Sequence, residues 1–244
     1  MTVIPDDKGA GWKEGFARGI SQACVYAIEA RKSASQVGIR ALRADIPHFV
    51  KGMMESAISS GIVFGMYFST FNGLGGSQNV IASPIATFVT SLIKTPISNG
   101  MRLRQVGYAN DLLGATKKIV RMQGHRGLYN GYVLSVIEDI IEFDIRIRLY
   151  DTMKSFDKSN NPFMTIGFGA IAGMFASYVT SPFDTIRANM TITGKSATAC
   201  IADIFNTATG LQGFYRGAHL RMASNGLKYG MFFMIYESLR IKVL

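Results

Sequence analysis

Three stretches of this 244-residue chain carry one skeleton at nearly one spacing, and that recurrence limits what the chain can fold into. Pro96 precedes Gly131 by 35 residues, and Gly131 precedes Asp151 by 20. Pro182 precedes Gly217 by 35, and Gly217 precedes Glu237 by 20. The first third has Ala27, Gly52 and Asn72 at the matching places, with the second interval again 20 and the first shortened to 25. A unit of about 70 to 90 residues is longer than a solenoid repeat of roughly 20–50. It has room for two long helices and a short one between them. The spacing divides the chain into units 1–75, 76–157 and 158–244.

Composition places these helices in lipid. Hydrophobic residues make up 48% and charged residues only 17%, where a soluble domain averages about 25% charged. The 26 glycines suit helices that pack closely through small residues. A formal charge of +10 would fit a nucleic-acid binder. Yet Lys117, Lys118 and Arg121 sit among apolar segments with no recognisable nucleic-acid motif, so no nucleic-acid partner is expected. Cys24 and Cys200 form neither a disulfide framework nor a metal motif. His48, His125 and His219 have no nucleophile or metal partner at a recognisable spacing. The expectation is therefore a protein that is not an enzyme and that holds no metal and no cofactor. Residues 1–15 resemble neither a secretory signal nor an Arg-rich transit peptide, so targeting information is expected to be internal.

Residues 79–95 and 163–180 are almost wholly apolar or hydroxylic, and each runs into Ser/Thr-Pro. Each can cross the hydrocarbon core, which takes about 20 residues, if its helix continues past the proline. Gly169 and Gly173 permit close approach of a neighbour. The second helices are predicted over 53–71, 132–153 and 218–239. Residues 132–153 include Glu138, Asp139, Glu142, Asp144, Arg146 and Arg148 among Ile, Val, Leu and Phe. Such a helix cannot face lipid all round. Its charges either line a water-filled cavity or form the solvated face of a soluble helix, and its membrane-like partners favour the cavity. Glu138, Glu142 and Arg146 share one face. Short surface helices are predicted over 111–122 and 197–208, and a reduced one over 39–48.

The third unit reads Ser181-Pro182-Phe183-Asp184-Thr185-Ile186-Arg187, which resembles the Px[DE]xx[KR] signature of the mitochondrial carrier family. Gly210 and Tyr215-Arg216-Gly217 follow it, as Gly124 and Tyr129-Asn130-Gly131 do in the second unit. Tyr150-Asp151 with Lys154 and Tyr236-Glu237 with Arg240 are similar to the family's second motif, [FY][DE]xx[KR]. The resemblance covers essentially the whole chain. It implies an all-α membrane protein with six transmembrane helices in three pseudo-symmetric repeats and short surface helices on the matrix side. It also implies a monomeric, multi-pass protein of the mitochondrial inner membrane that exchanges a small-molecule solute. The lipid bilayer is then a partner, with anionic lipid at the surface helices.

By the same resemblance the first motif closes the matrix side and the second the cytosolic side, and opening one while forming the other gives alternating access. The matrix set is Glu29, Lys32, Gln36, Pro96, Gln105, Pro182, Asp184 and Arg187. Unit one lacks the proline, and unit two has Ser98 and Met101 in place of both charges, so Lys32 with Asp184 is the one intact pair. Asn72 and Gly75 replace the first cytosolic pair, leaving Asp151, Lys154, Glu237 and Arg240.

Counting back from the second motifs places the implied solute contacts at Ser59, Ser60, Glu138, Asp139 and Asn225, with Glu142, Arg146 and Lys228 nearby. The overall basic charge favours a nucleotide or other phosphorylated anion. Glu138 and Asp139 instead favour an amino acid or a cationic metabolite such as an adenosyl cofactor. The worn first unit leaves a non-transporting membrane scaffold as a third expectation.

Overall fold

The computed structural model describes residues 11–38, 46–76, 79, 81–156, 162–207 and 210–241. They form helices α1 (Gly11–Val37), α2 (Ile46–Gly73), α3 (Ala82–Gln105), α4 (Leu112–Gln123), α5 (Tyr132–Phe156), α6 (Pro162–Val179), α7 (Ser181–Thr193), α8 (Ala197–Thr207) and α9 (Ala218–Ile241). Short 3₁₀ turns at His125–Tyr129 and Gly210–Tyr215 precede α5 and α9. Six long passes, with α6 and α7 together making the fifth, close into a ring: each packs against its two neighbours in the order α1, α2, α3, α5, α6/α7, α9. At one end α7 also meets α1, α3 and α5, so the three odd-numbered passes converge there.

Three predicted boundaries move. The second pass starts at Ile46 rather than residue 53, with Pro47 in its first turn, where a missing N–H costs nothing. Gly52 is therefore inside a helix, whereas Gly131 and Gly217 at the equivalent spacing are left-handed with φ of 78° and 75°. The fifth pass breaks at Thr180 and bends by 60° into α7, whose first turn holds Pro182. Pro96, by contrast, lies inside an unbroken α3. Of the predicted short helix over 39–48, residues 39–45 lie outside the described residues and the remainder belongs to α2. The other two short helices form as expected. At the start of α4 the Asp111 carboxylate accepts from the Gly114 N–H at 2.7 Å, and this bond holds its pKa below the usual range.

The bundle is polar inside and apolar outside. On α3, Ile85, Phe88, Leu92 and Ile93 are exposed, while Thr87, Thr90, Ser91 and Thr95 are buried. Both sets repeat at helical spacing, so one face looks outward and the other into the ring. Exposed Ile58 and Ile62 on α2, and Ile171 and Phe175 on α6, continue the outer apolar surface. Among the described residues no single helix is long and apolar enough to cross a membrane, although the bent α6–α7 pair is. The reason is the inner face, whose charges count against each helix while pointing away from lipid.

Small residues draw α1 and α2 together. A Cβ on Gly15 would lie 2.6 Å from the Gly61 carbonyl oxygen, and one on Gly61 would lie 2.9 Å from that of Gly15. Gly15→Val is expected to destabilise the protein by about 1–3 kcal/mol, since the obstructing atoms are backbone. Thermal unfolding in detergent measures it. Gly167→Ala, where a Cβ meets nothing within 4 Å, is the matched control and leaves the melting temperature level or slightly higher.

Candidate functional site

The ring encloses a cavity of about 510 Å³ that reaches from the converged ends of the odd-numbered passes to Tyr150, Asp151 and Phe232. Its floor is built on one carboxylate. Asp184, 1% exposed, sits in the first turn of α7. It receives Lys32 Nζ from α1 at 3.1 Å, Gln36 Nε2 at 2.9 Å and the guanidinium of Arg102 from α3. Arg221 of α9 approaches to 3.6 Å and Arg187 to 3.8 Å. Donors from three neighbouring passes thus meet on one acid. Such charge-assisted bonds are strong where water is excluded.

A second tier lies above the floor. Arg221 donates to Glu138 and to Glu142, each at 2.7 Å, and so links the acids of α5 to Asp184. Arg187 lies 3.3 Å from Glu138 and donates to Ser135. Its stem passes over Gly131, where a Cβ would stand 2.7 Å from Arg187 Cγ, so glycine serves both the left-handed turn and the close approach. Glu29 accepts from Lys228 and Gln22 rather than joining the floor. Lys94 pairs with Asp139 at 2.6 Å. Toward the wider end come Phe64, Tyr67, Phe68, Phe143 and Tyr229, with the guanidinium of Arg146 4.4 Å from the Tyr229 ring centroid.

The structure brings most of the predicted residues together. The Lys32–Asp184 pair is present, and Gln105 accepts from Ser33 at 2.7 Å beside it. Ser59, Ser60, Glu138, Asp139, Glu142, Arg146, Asn225 and Lys228 all line the cavity. Pro182 opens α7, and Pro96 lies within α3, one residue before the cavity-lining Ile97 and Ser98. At the other end Asp151 is exposed on the cavity wall, and Lys154 donates to Tyr150 of its own helix at 3.4 Å. The side chains of Glu237 and Arg240 lie outside the described residues, so the cross-unit pair expected there is not described.

Sequence reasoning missed four cations. Arg102 follows Met101, the position of the lost base, and from one residue further along α3 it joins Lys32 on Asp184. Arg221 belongs to neither motif, yet it binds three acids. Lys94 is the partner of Asp139, and Arg18 of α1 faces Phe64 and Tyr229. Glu138 and Glu142, which share a face with Arg146 along α5, both accept from Arg221 of α9 at 2.7 Å, while Arg146 keeps a 3.8 Å contact with Glu142.

Charge in the cavity is nearly balanced, with eight basic and seven acidic side chains on its wall. Most of the formal +10 of the chain therefore lies elsewhere. Among the described residues no group of His, Cys, Asp and Glu side chains could hold a metal ion.

A family profile described as "Mitochondrial carrier protein" matches residues 72–161 and again 158–244. Mitochondrial citrate transporter B of Aspergillus niger is 32% identical over 64% of this chain and 55% of its own. The mitochondrial glycine transporter of Xenopus laevis is 28% identical over 79% of this chain and 70% of its own. The tricarboxylate transport protein of Saccharomyces cerevisiae is 27% identical over 86% and 80%. The chain thus spans little more than half the length of the first of these relatives.

Replacing Asp184 with Asn leaves several buried cations without their shared acid, and a loss of about 3–5 kcal/mol in stability is expected. Asp203→Asn, which breaks a surface pair with Lys195 at half-exposed side chains, is expected to change nothing measurable. Thermal unfolding of the two purified variants in parallel checks both.

Proposed function

Because the chain belongs to the mitochondrial carrier family, whose members are multi-pass transporters of the mitochondrial inner membrane, we propose that it moves a small zwitterionic metabolite of amino-acid type by alternating access. The observation that carries this reading is the balance of charge in the cavity. A small solute with one ammonium and one carboxylate leaves that balance undisturbed, whereas a nucleotide brings several negative charges to a wall where acids almost equal bases. Of the three relatives, the glycine transporter points the same way, while citrate and tricarboxylates share the carboxylate but bear more than one negative charge.

In this reading the three sequence units are three repeats of one transport domain. Ser59, Ser60, Glu138, Asp139, Glu142, Arg146, Asn225 and Lys228 face the solute. Lys32, Gln36, Asp184 and Arg187, with Arg102 added, close the matrix side, and Glu29 stands apart with Lys228. Asp151, Lys154, Glu237 and Arg240 close the cytosolic side when the first set opens. The carrier works as a monomer by exchange, with α4 and α8 lying on anionic lipid. A nucleotide or other phosphorylated anion has the overall charge in its favour. That support weakens once the basic excess is found outside the cavity.

Proteoliposomes loaded and challenged with labelled glycine, longer neutral amino acids, citrate and ATP test the reading. Amino-acid exchange at least tenfold faster than ATP exchange is expected, and Glu138→Gln is expected to slow it about tenfold or more, the worth of one charged hydrogen bond. ATP exchange that exceeds amino-acid exchange would restore the nucleotide. Absence of flux for every solute would leave the scaffold.

A further inference from the structure

Of the eight basic side chains on the cavity wall, seven have a carboxylate within 4 Å. Arg18 of α1 has none among the described residues. Its guanidinium carbon lies 5.2 Å from the Phe64 ring centroid and 5.3 Å from that of Tyr229. Its Nη1 is buried and makes no hydrogen bond. Aromatic faces attract a cation, but they leave its N–H donors unused. Arg18 as a whole is half-buried, but a guanidinium nitrogen shielded from water with no acceptor is costly until an anion reaches it.

We propose that Arg18 is the anchor for the carboxylate of the solute. This rests on the reading of the cavity as a transport path and names the residue that selects one end of the cargo. The guanidinium presents its donors in a flat fork that matches two carboxylate oxygens. One uncompensated cation suits one negative charge; a phosphate dianion would bring a second charge with no partner. Arg146 does not compete for this role, since it donates to the Tyr229 hydroxyl and lies 3.8 Å from Glu142. Tyr229 joins the two ends of the site: its ring faces Arg18, and its hydroxyl lies 3.4 Å from Glu142. A zwitterion then lies with its carboxylate on α1 and its ammonium toward the acids of α5.

The test uses the full chain, purified and in proteoliposomes, with glycine, methylamine, acetate and inorganic phosphate as probes. For wild type, glycine and acetate raise the melting temperature and methylamine does not. In Arg18→Gln the KM for glycine exchange rises about 10- to 100-fold, and the thermal response to glycine and acetate disappears. Arg18→Lys, which keeps the charge and loses the fork, falls between the two. The ligand-free melting temperature of Arg18→Gln stays level or rises, because a cation without a partner gives no stability. A fall in that temperature with no change in KM makes Arg18 a packing residue and overturns the proposal, as does an unchanged response to acetate. A response to phosphate alone overturns the carboxylate assignment. An Arg18-dependent response to acetate without any amino-acid flux supports the anchor and removes the transport reading instead.

Discussion

A carboxylate in the middle of a helical bundle needs cations around it, and the cations need the carboxylate. Asp184 with Lys32, Arg102, Arg187 and Arg221 meets both needs at once. Each of these side chains alone would pay heavily to leave water. Together they tie α1, α3, α7 and α9 at the narrow end of the ring, and the position of every other charge follows from that knot. Arg221 has a second set of donors to spend and turns them on Glu138 and Glu142, which fixes the inner face of α5. Lys228 and Glu29, left out of the knot, satisfy each other.

The outer surface answers to the opposite rule. Isoleucine, phenylalanine and leucine cover it, and the helices that carry them hide their charges from the surrounding hydrocarbon. This division explains why hydropathy along any one helix is an incomplete guide here. A helix with one lipid face and one wet face averages to something intermediate. Close contacts such as Gly15 with Gly61 supply the van der Waals attraction that apolar burial cannot supply between helices in lipid.

The spacing of the repeats made the ring legible, and the motif residues made one of its ion pairs legible. Lys32 is the base of one motif and Asp184 the acid of another, and the convergence of α1 and α7 brings them together. Arg102 was hidden because a helix turns about 100° per residue, so one position along from the expected base looks like a different face. The floor tolerates this through the length of an arginine side chain. Partner choice was hidden as well: Glu142 and Arg146 are ideal neighbours along α5, yet an arginine from α9 reaches Glu142 at 2.7 Å. Neighbours across a bundle cannot be ranked from distances along a chain. Gly52 shows the same limit, since its spacing equals that of Gly131 and Gly217 while its backbone is helical. There the absent Cβ makes room for Tyr26 and Arg104, not for a turn.

The break between α6 and α7 places a mechanical joint beside the knot. Pro182 has no N–H to give to the preceding turn, and the two helices meet at 60° there. Asp184 stands two residues past that proline. Any pivot of α7 about the joint swings the shared acid through a short radius, away from α1 and α3 together. One small rotation there would loosen three passes at once, because the acid they share sits beside the bend.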